Sequence, residues 1–477
     1  MLFCESIMIA FNKPIFQASG MKSLSRYKIK NPSPAQSLII YYALAIFLGT
    51  LLLSTPLATK GPRLSFLDAL FTATSAQCVT GLIVVDTGTR LSMFGQSVVL
   101  ALIQIGGLGI MTFSVYLFIY LRVGVSLRGR RLIQDTLLHT PINSWRQLIK
   151  GVIFLTLLIE AVGAAVLCTV FVPEQGWFAG TWCALFHSIS AFCNAGFSLF
   201  NDSLVGYRAN PLVNLTVMTL IILGGIGFLV IHELLEFALG RRKKNARMSL
   251  HTRLVLITTF VLIIYGTAMI GFLEFDHALA GLPFMEGLWT SLFQSITART
   301  AGFNTIDLNA FAAPTLFLLM FLMFIGASPG SAGGGVKTTS LALFFCIFYS
   351  RLKGSSHTNV FKRTIPNEAV TKALALVILA IVLIGIALFS LLIAQETTAP
   401  MGSAGKEFLS LSFETVSAFS TVGLSMGATG ELTAPGKMII IALMFIGRVG
   451  LLTVAFAIAG TTRRHAPRYS EENVMVG

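Results

Sequence analysis

Charge is what this 477-residue chain has least of. Lys, Arg, Asp and Glu together make up 11% of it, whereas a soluble domain carries about 25%. Acidic residues are the scarcer sign: 20 Asp and Glu stand against 34 Lys and Arg, for a formal charge of +14. A soluble globular class is excluded by this shortage. Cysteine is scarce too. The six (Cys4, Cys78, Cys168, Cys183, Cys193 and Cys346) form no CxxC pair and no framework. Most lie in apolar stretches, where a thiol behaves as a small core residue. No His, Cys and carboxylate cluster has metal-site spacing, so neither a metal centre nor an organic cofactor is expected. No polar catalytic cluster stands out, so an enzyme is not expected. The basic excess does not point to nucleic acid, because it is confined to particular linkers. A convincing secretory signal is also missing: the apolar stretch from Ile7 to Phe11 is short, and Lys13, Lys22, Arg26, Lys28 and Lys30 follow it. Met21 opens Met-Lys-Ser-Leu-Ser-Arg, which reads as an alternative start to Met1.

Apolar residues, by contrast, are plentiful. They make up 55% of the chain, and mean hydropathy is +0.80. A helix crossing a hydrocarbon core of ~30 Å needs roughly 20 apolar residues. Eight segments are expected to span the bilayer, near 36–56, 93–121, 149–172, 211–239, 253–273, 314–350, 370–394 and 435–460. Between the members of each pair lies a Ser/Thr-rich stretch too short and too polar to span: 65–80, 181–195, 286–301 and 405–422. These predict re-entrant pore helices, each followed by non-helical backbone, which at membrane depth requires a wet cavity or a protein-lined one.

Each short stretch ends at a glycine in a similar setting: Gly81, Gly196, Gly302 and Gly423, spaced 115, 106 and 121 residues apart. A helix glycine follows at Gly106, Gly224, Gly326 and Gly447, which is 25, 28, 24 and 24 residues later. The expected fold is therefore an all-α membrane protein. It has four parallel helix–pore helix–filter loop–helix repeats around a pseudo-fourfold pore. The segments expected are a cytoplasmic N-terminal segment (1–35), repeat 1 (36–121), repeat 2 (149–239), repeat 3 (253–350), repeat 4 (370–460) and a cytoplasmic tail (461–477). Parallel repeats argue against an alternating-access secondary transporter with inverted repeats, which is the competing class.

Orientation follows from Lys and Arg. The linker 122–150 carries Arg122, Arg128, Arg130, Arg131, Arg146 and Lys150; the linker 240–253 carries Arg241, Arg242, Lys243, Lys244, Arg247 and Arg253. The linker 351–372 adds Arg351, Lys353, Lys362, Arg363 and Lys372, and the tail adds Arg463, Arg464 and Arg468. Eight crossings put all of these, and both termini, on the cytoplasmic side of the cell membrane. Glu174, Glu274, Asp276, Asp307 and Glu396 fall on the other side.

Four glycine loops meeting at one axis would offer rings of backbone carbonyls from Val79, Thr80 and Gly81; Asn194, Ala195 and Gly196; Thr300, Ala301 and Gly302; and Thr421, Val422 and Gly423. Such rings replace the hydration shell of a cation. Two features break the repeat. In the third unit, Gly326-Ala327-Ser328-Pro329-Gly330-Ser331-Ala332-Gly333-Gly334-Gly335 interrupts the span and cannot hold a regular helix. It imitates a P-loop, but Val336 separates Gly335 from Lys337, and the pattern fails by one residue. On its residues alone, the segment 326–337 is a broken helix, and its plainest reading is a passive kink. In the fourth unit, Arg448 replaces the second helix glycine. A charge at that depth costs ~2.5–3.5 kcal/mol, so it faces the pore as a barrier, tethers the irregular loop, or pairs with an acid. Glu160 reads as a packed or paired carboxyl and His187 as a hydrogen-bonded core residue. Asp86 and Asp307 follow filter loops, and either gather cations at the outer mouth or are merely solvated.

The loops Thr-Ser-Ala-Gln-Cys-Val-Thr-Gly-Leu, Phe-Cys-Asn-Ala-Gly-Phe, Thr-Ala-Arg-Thr-Ala-Gly-Phe and Ser-Ala-Phe-Ser-Thr-Val-Gly-Leu resemble those of the Trk/Ktr/HKT superfamily of potassium transporters, and eight spans with a short tail resemble its KtrB branch. The resemblance implies potassium translocation, with Na⁺ as an activator of uptake. It also implies a homodimer in membrane lipid, a cytosolic nucleotide-binding RCK ring as regulator, and a gating role for 326–337. In plant relatives serine at the first filter position accompanies sodium permeation. Four glycines here favour potassium.

Overall fold

The computed structural model describes residues 34–123, 145–240, 248–355, 357–395, 401–451 and 453–454. The N-terminal segment, most of the first basic linker and the tail lie outside them. The described chain is almost wholly helical. Repeat 1 has α1 (Pro34–Leu53), the short α2 (Phe66–Gln77) and α3 (Met93–Val123). Repeat 2 has α4 (Trp145–Gln175), α5 (Trp177–Phe192), α6 (Pro211–Ile226) and α7 (Phe228–Ala238). Repeat 3 has α8 (Leu250–Leu273), α9 (Phe284–Thr297), α10 (Ala313–Phe324) and α11 (Thr338–Leu352). Repeat 4 has α12 (Asn367–Ala394), α13 (Met401–Ser420) and α14 (Ala434–Val449).

Local chemistry sets the starts of these helices. Prolines open the second helix in three repeats, at Pro211, Pro314 and Pro435, because the missing N–H falls where no intrahelical partner exists. Asn210 and Thr433 cap two of them, the side chain of Asn210 accepting from the amides of Leu212 and Val213. Ser65 caps α2 in the same way, accepting from the Asp68 amide. Apolar side chains cover the outside: Phe154, Phe260, Phe272, Phe317 and Phe389 are each at least 65% exposed, as lipid contact requires. Five described helices are long and apolar enough to cross a membrane, and α6 with α7 makes a sixth if taken as one span.

Three expected spans are interrupted. Segment 211–239 bends by 105° between α6 and α7, where Gly227 adopts φ 91°. The Phe228 amide donates to the Gly330 carbonyl at 3.1 Å, so the interrupted helix meets the irregular loop of repeat 3. Segment 314–350 divides into α10 and α11 around residues 325–337, as its glycines and proline require. In repeat 4 the fourteenth helix ends at Val449, before Gly450 with φ 93°. Gly227 and Gly450 hold the same place in repeats 2 and 4, three residues after the first helix glycine. In repeat 1 that place is Gly109, inside a continuous α3.

The second helices touch the pore-helix ends through bare backbone. A Cβ on Gly106, Gly224 or Gly447 would strike the carbonyl of Gln77, Phe192 or Phe419 respectively. This is close packing through small residues, and it seats three of the four pore helices; in repeat 3 a Cβ on Gly326 would instead meet the Gly334 carbonyl of the irregular segment.

Gly227→Ala would force an L residue into a positive-φ extended conformation (φ 91°, ψ 144°), at a cost of about 1–3 kcal/mol, and press a methyl toward the Pro329 carbonyl, 2.7 Å from the added atom. The variant should melt measurably lower than wild type in detergent. An unchanged melting temperature would show that the bend is not held by this contact.

Candidate functional site

The four glycine loops meet. An added Cβ on Gly81 would strike the Ala195 carbonyl, on Gly196 that of Ala301, on Gly302 that of Val422, and on Gly423 that of Thr80. The order runs through repeats 1, 2, 3 and 4 and closes back on 1. The twelve residues expected at the filter are thus brought together in one ring, and each glycine is required by the next loop's backbone.

The four strands share one conformation. The glycines have φ of 93°, 70°, 79° and 92°, and the residues two places before them, Val79, Asn194, Thr300 and Thr421, have φ of 56°, 57°, 76° and 50°. The residue between is not in the positive region. A β-branched residue at positive φ is an outlier and costs of order 1–3 kcal/mol, so the surroundings must impose it. They do so through the amides. The N–H groups of Thr80, Ala195, Ala301 and Val422 donate backward to the carbonyls of Ser75, Ser190, Thr297 and Ser417 at 2.8, 2.7, 2.9 and 3.0 Å. With the donors turned to the pore helices, the carbonyls of the same peptides are free for the axis.

The same four residues also hold the loops by their hydroxyls, a role the sequence reading missed. Ser75, Ser190 and Thr297 donate to the carbonyls of Leu82, Phe197 and Phe303 at 2.7, 2.8 and 2.7 Å. Ser75 and Ser417 accept from the amides of Gly81 and Gly423, each at 3.1 Å. The signal was present as a hydroxyl six, six, five and six residues before the filter glycine. Asn194 and Thr300 link neighbouring loops by a side-chain hydrogen bond of 3.2 Å. Among the described residues, the buried hydroxyls of Thr80 and Thr421 have no partner.

The irregular segment of repeat 3 packs against the pore-helix side of this ring. A Cβ on Gly333 would meet the Thr300 hydroxyl, and one on Gly334 the Thr421 hydroxyl. Ser328 and Ala332 donate their amides to Gly225 and Gly224 of repeat 2 at 3.0 and 3.1 Å. Within the loop, the Ser331 hydroxyl reaches the Ser328 carbonyl at 2.6 Å, Ser328 meets Thr338 at 2.9 Å, and Lys337 Nζ donates to the Gly333 carbonyl at 2.7 Å. Ile325 and Val336 pair as an isolated parallel bridge. Gly326, Pro329, Gly330 and Gly335 are thus parts of a hydrogen-bonded segment.

Arg448 is buried, 3% exposed. One guanidinium nitrogen donates to the Ala332 carbonyl and the other to Gly106 at 2.9 Å. Tyr42 donates to the same Gly106 carbonyl at 2.9 Å. No acid among the described residues forms a salt bridge with Arg448, and its hydrogen bonds join the loop to α3. Glu160 accepts from Gln104 Nε2 at 2.9 Å and lies 3.8 Å from the Cys193 sulfur, behind loop 2. Asp86 accepts from the amide and hydroxyl of Thr89, both at 2.6 Å, and Asp307 from the Asn309 amide at 3.0 Å. Both of these acids cap local turns.

Arg448→Gln shortens the side chain and removes the charged donor to Ala332. A hydrogen bond to a charged group contributes about 1.5–3 kcal/mol, so amide exchange across 326–335 should accelerate by about tenfold or more. Unaltered exchange in a folded variant would show that Arg448 does not hold the loop.

Comparison with known proteins places this architecture. The family profile of TrkH, described as a cation transport protein, matches residues 8–462. The chain is 42% identical to Ktr system potassium uptake protein B of Bacillus subtilis over 93% of its own length and 97% of that protein's. It is 38% identical to the potassium/sodium uptake protein NtpJ of Enterococcus hirae over 94% of its length and 98% of the relative's. The crystal structure of the potassium transporter TrkH from Vibrio parahaemolyticus superposes with a TM-score of 0.73 at 20% identity, covering 97% of this chain and 90% of that one, which supports the shared fold. The chain belongs to the TrkH family of cation transport proteins.

Proposed function

We propose that this chain takes up potassium across the cell membrane through the ring of four glycine loops, with residues 326–337 as its gate. The observation that carries this is the closed ring whose amides point backward to the pore helices. A cation entering it meets carbonyl oxygens in place of water. The four pore helices aim their C-terminal ends at the same point, each worth about −0.5 charge, or about −2 together. That field favours a monovalent cation and repels anions. The relatives named above as potassium or potassium/sodium uptake proteins support the choice of ion.

The ions chosen for the filter are held by Val79, Thr80 and Gly81; Asn194, Ala195 and Gly196; Thr300, Ala301 and Gly302; and Thr421, Val422 and Gly423. Residues 328–335 close the path beside Thr300 and Thr421, and Arg448 and Lys337 hold that closure. Opening requires the loop to leave the amide contacts with Gly224 and Gly225. Sodium-stimulated uptake, a homodimer, cytoplasmic termini and regulation by a cytosolic nucleotide-binding RCK ring complete the proposal, and rest on the resemblance and the charge distribution of the linkers.

A potassium-uptake-deficient host expressing this chain should grow at low external potassium, and growth should improve with sodium and the regulatory partner. Expression in the membrane without rescue would overturn the proposal. Gly81→Ser places a side chain against the Ala195 carbonyl and should raise sodium flux relative to potassium; retained selectivity would remove loop 1 from the filter. Deleting part of Ser328–Gly335 in a folded protein should increase potassium flux, and an equal or lower flux would contradict a gate.

A further inference from the structure

Three residues before each hydroxyl anchor, the pore helices carry Thr72, His187, Gln294 and Glu414. Two of these face the strand that leaves the filter, and they do so in the same way. His187 Nδ1 lies 2.8 Å from the Cys183 carbonyl, which makes it the donor and leaves Nε2 as the acceptor. Nε2 lies 3.0 Å from the Ser198 hydroxyl and 3.4 Å from the Leu199 amide. Glu414 Oε1 accepts from the Ser425 hydroxyl at 2.6 Å and the Met426 amide at 3.0 Å, while Oε2 accepts from Thr429 at 2.5 Å. Ser198 and Ser425 both stand two residues after the filter glycine, and Leu199 and Met426 both stand three after it. An imidazole and a carboxylate therefore do one job at one repeat position.

Repeats 1 and 3 lack this device. The Thr72 hydroxyl donates within its own helix, to Asp68. The Gln294 side chain has no partner among the described residues. The residues two after the glycine are Ile83 and Asn304. Loops 2 and 4 are opposite each other in the ring order, so the fastening is twofold where the backbone is fourfold. Both acceptors are fully buried. His187 is further clamped by a stacked Phe200 ring at 4.7 Å between centroids, so neither side chain can swing away without unpacking.

We propose that His187 and Glu414 are positioning residues for ion selection: matched acceptors in opposite pore helices that fix the strands leaving Gly196 and Gly423, and through them the outermost carbonyls of the ring. This rests on the potassium-filter proposal above. Selection between ions of similar charge depends on carbonyl number and placement, and these two side chains add links between the helix bodies and the strands leaving loops 2 and 4, beyond those made by Ser190 and Ser417.

The test uses the full chain reconstituted in liposomes, with potassium and sodium fluxes measured separately and per inserted molecule. His187→Ala and Glu414→Ala should each raise the sodium-to-potassium flux ratio by about three- to tenfold, the range for losing one or two hydrogen bonds. Glu414→Gln, which keeps one acceptor oxygen, should give a smaller shift than Glu414→Ala. Ser198→Ala and Ser425→Ala remove the partner hydroxyls without touching the helix, and should shift the ratio in the same direction; they carry the test if the alanine variants at 187 and 414 do not fold. A lower abundance or melting temperature with a ratio within about twofold of wild type would show a purely structural role and overturn the proposal. Absence of potassium flux in wild type would overturn the filter proposal itself, which a wild-type flux with unshifted variants would leave standing.

Discussion

Non-helical backbone inside a membrane must have its polar groups satisfied by protein or by a wet cavity. The structure depends on how four short strands meet that demand. Their amides turn back to the pore helices, and their carbonyls are left for the axis. Everything near the centre follows from this division. Left-handed residues at Val79, Asn194, Thr300 and Thr421 accomplish the turn. Hydroxyls at Ser75, Ser190, Thr297 and Ser417 fasten it, and glycines let each strand lie against the next.

The irregular segment of repeat 3 obeys the same rule by different means. It cannot form a helix, so its amides and carbonyls find partners across the molecule: Gly224 and Gly225 in repeat 2, Phe228 at the helix break, and Arg448 from repeat 4. The tethers reach from three sides, including Gly106 of repeat 1 through the shared guanidinium. A segment fastened across the molecule by individual hydrogen bonds, each contributing about 0.5–3 kcal/mol, can leave without unwinding a helix. That is the physical condition for a gate, and a continuous transmembrane helix would not meet it.

Much of this was legible in the sequence. Period and spacing gave the repeats, because a glycine in each loop and another in each second helix recur at nearly constant distance. The break at 326–337 was legible from its glycines and proline, and Arg448 from its depth. Three things were not. The bend at Gly227 is hidden because a glycine in an apolar run reads as close packing, and only the loop from repeat 3 makes it a corner. The anchoring hydroxyls are hidden among the many Ser and Thr of the pore helices. The alternatives for Arg448 were separable only by its partners, which come from residues 116 and 342 positions away. The local hydrogen bonds by which Asp86 and Asp307 cap turns were likewise not legible from their place after the loops.

The central claim is that backbone carbonyls of the four loops, and no carboxylate, bind the ion. Crystals of this protein soaked in rubidium, an electron-rich substitute for potassium, test it directly by anomalous diffraction. The account predicts anomalous density on the ring axis, surrounded by carbonyl oxygens of residues 79–81, 194–196, 300–302 and 421–423. Density at the acidic side chains with none in the ring would contradict it.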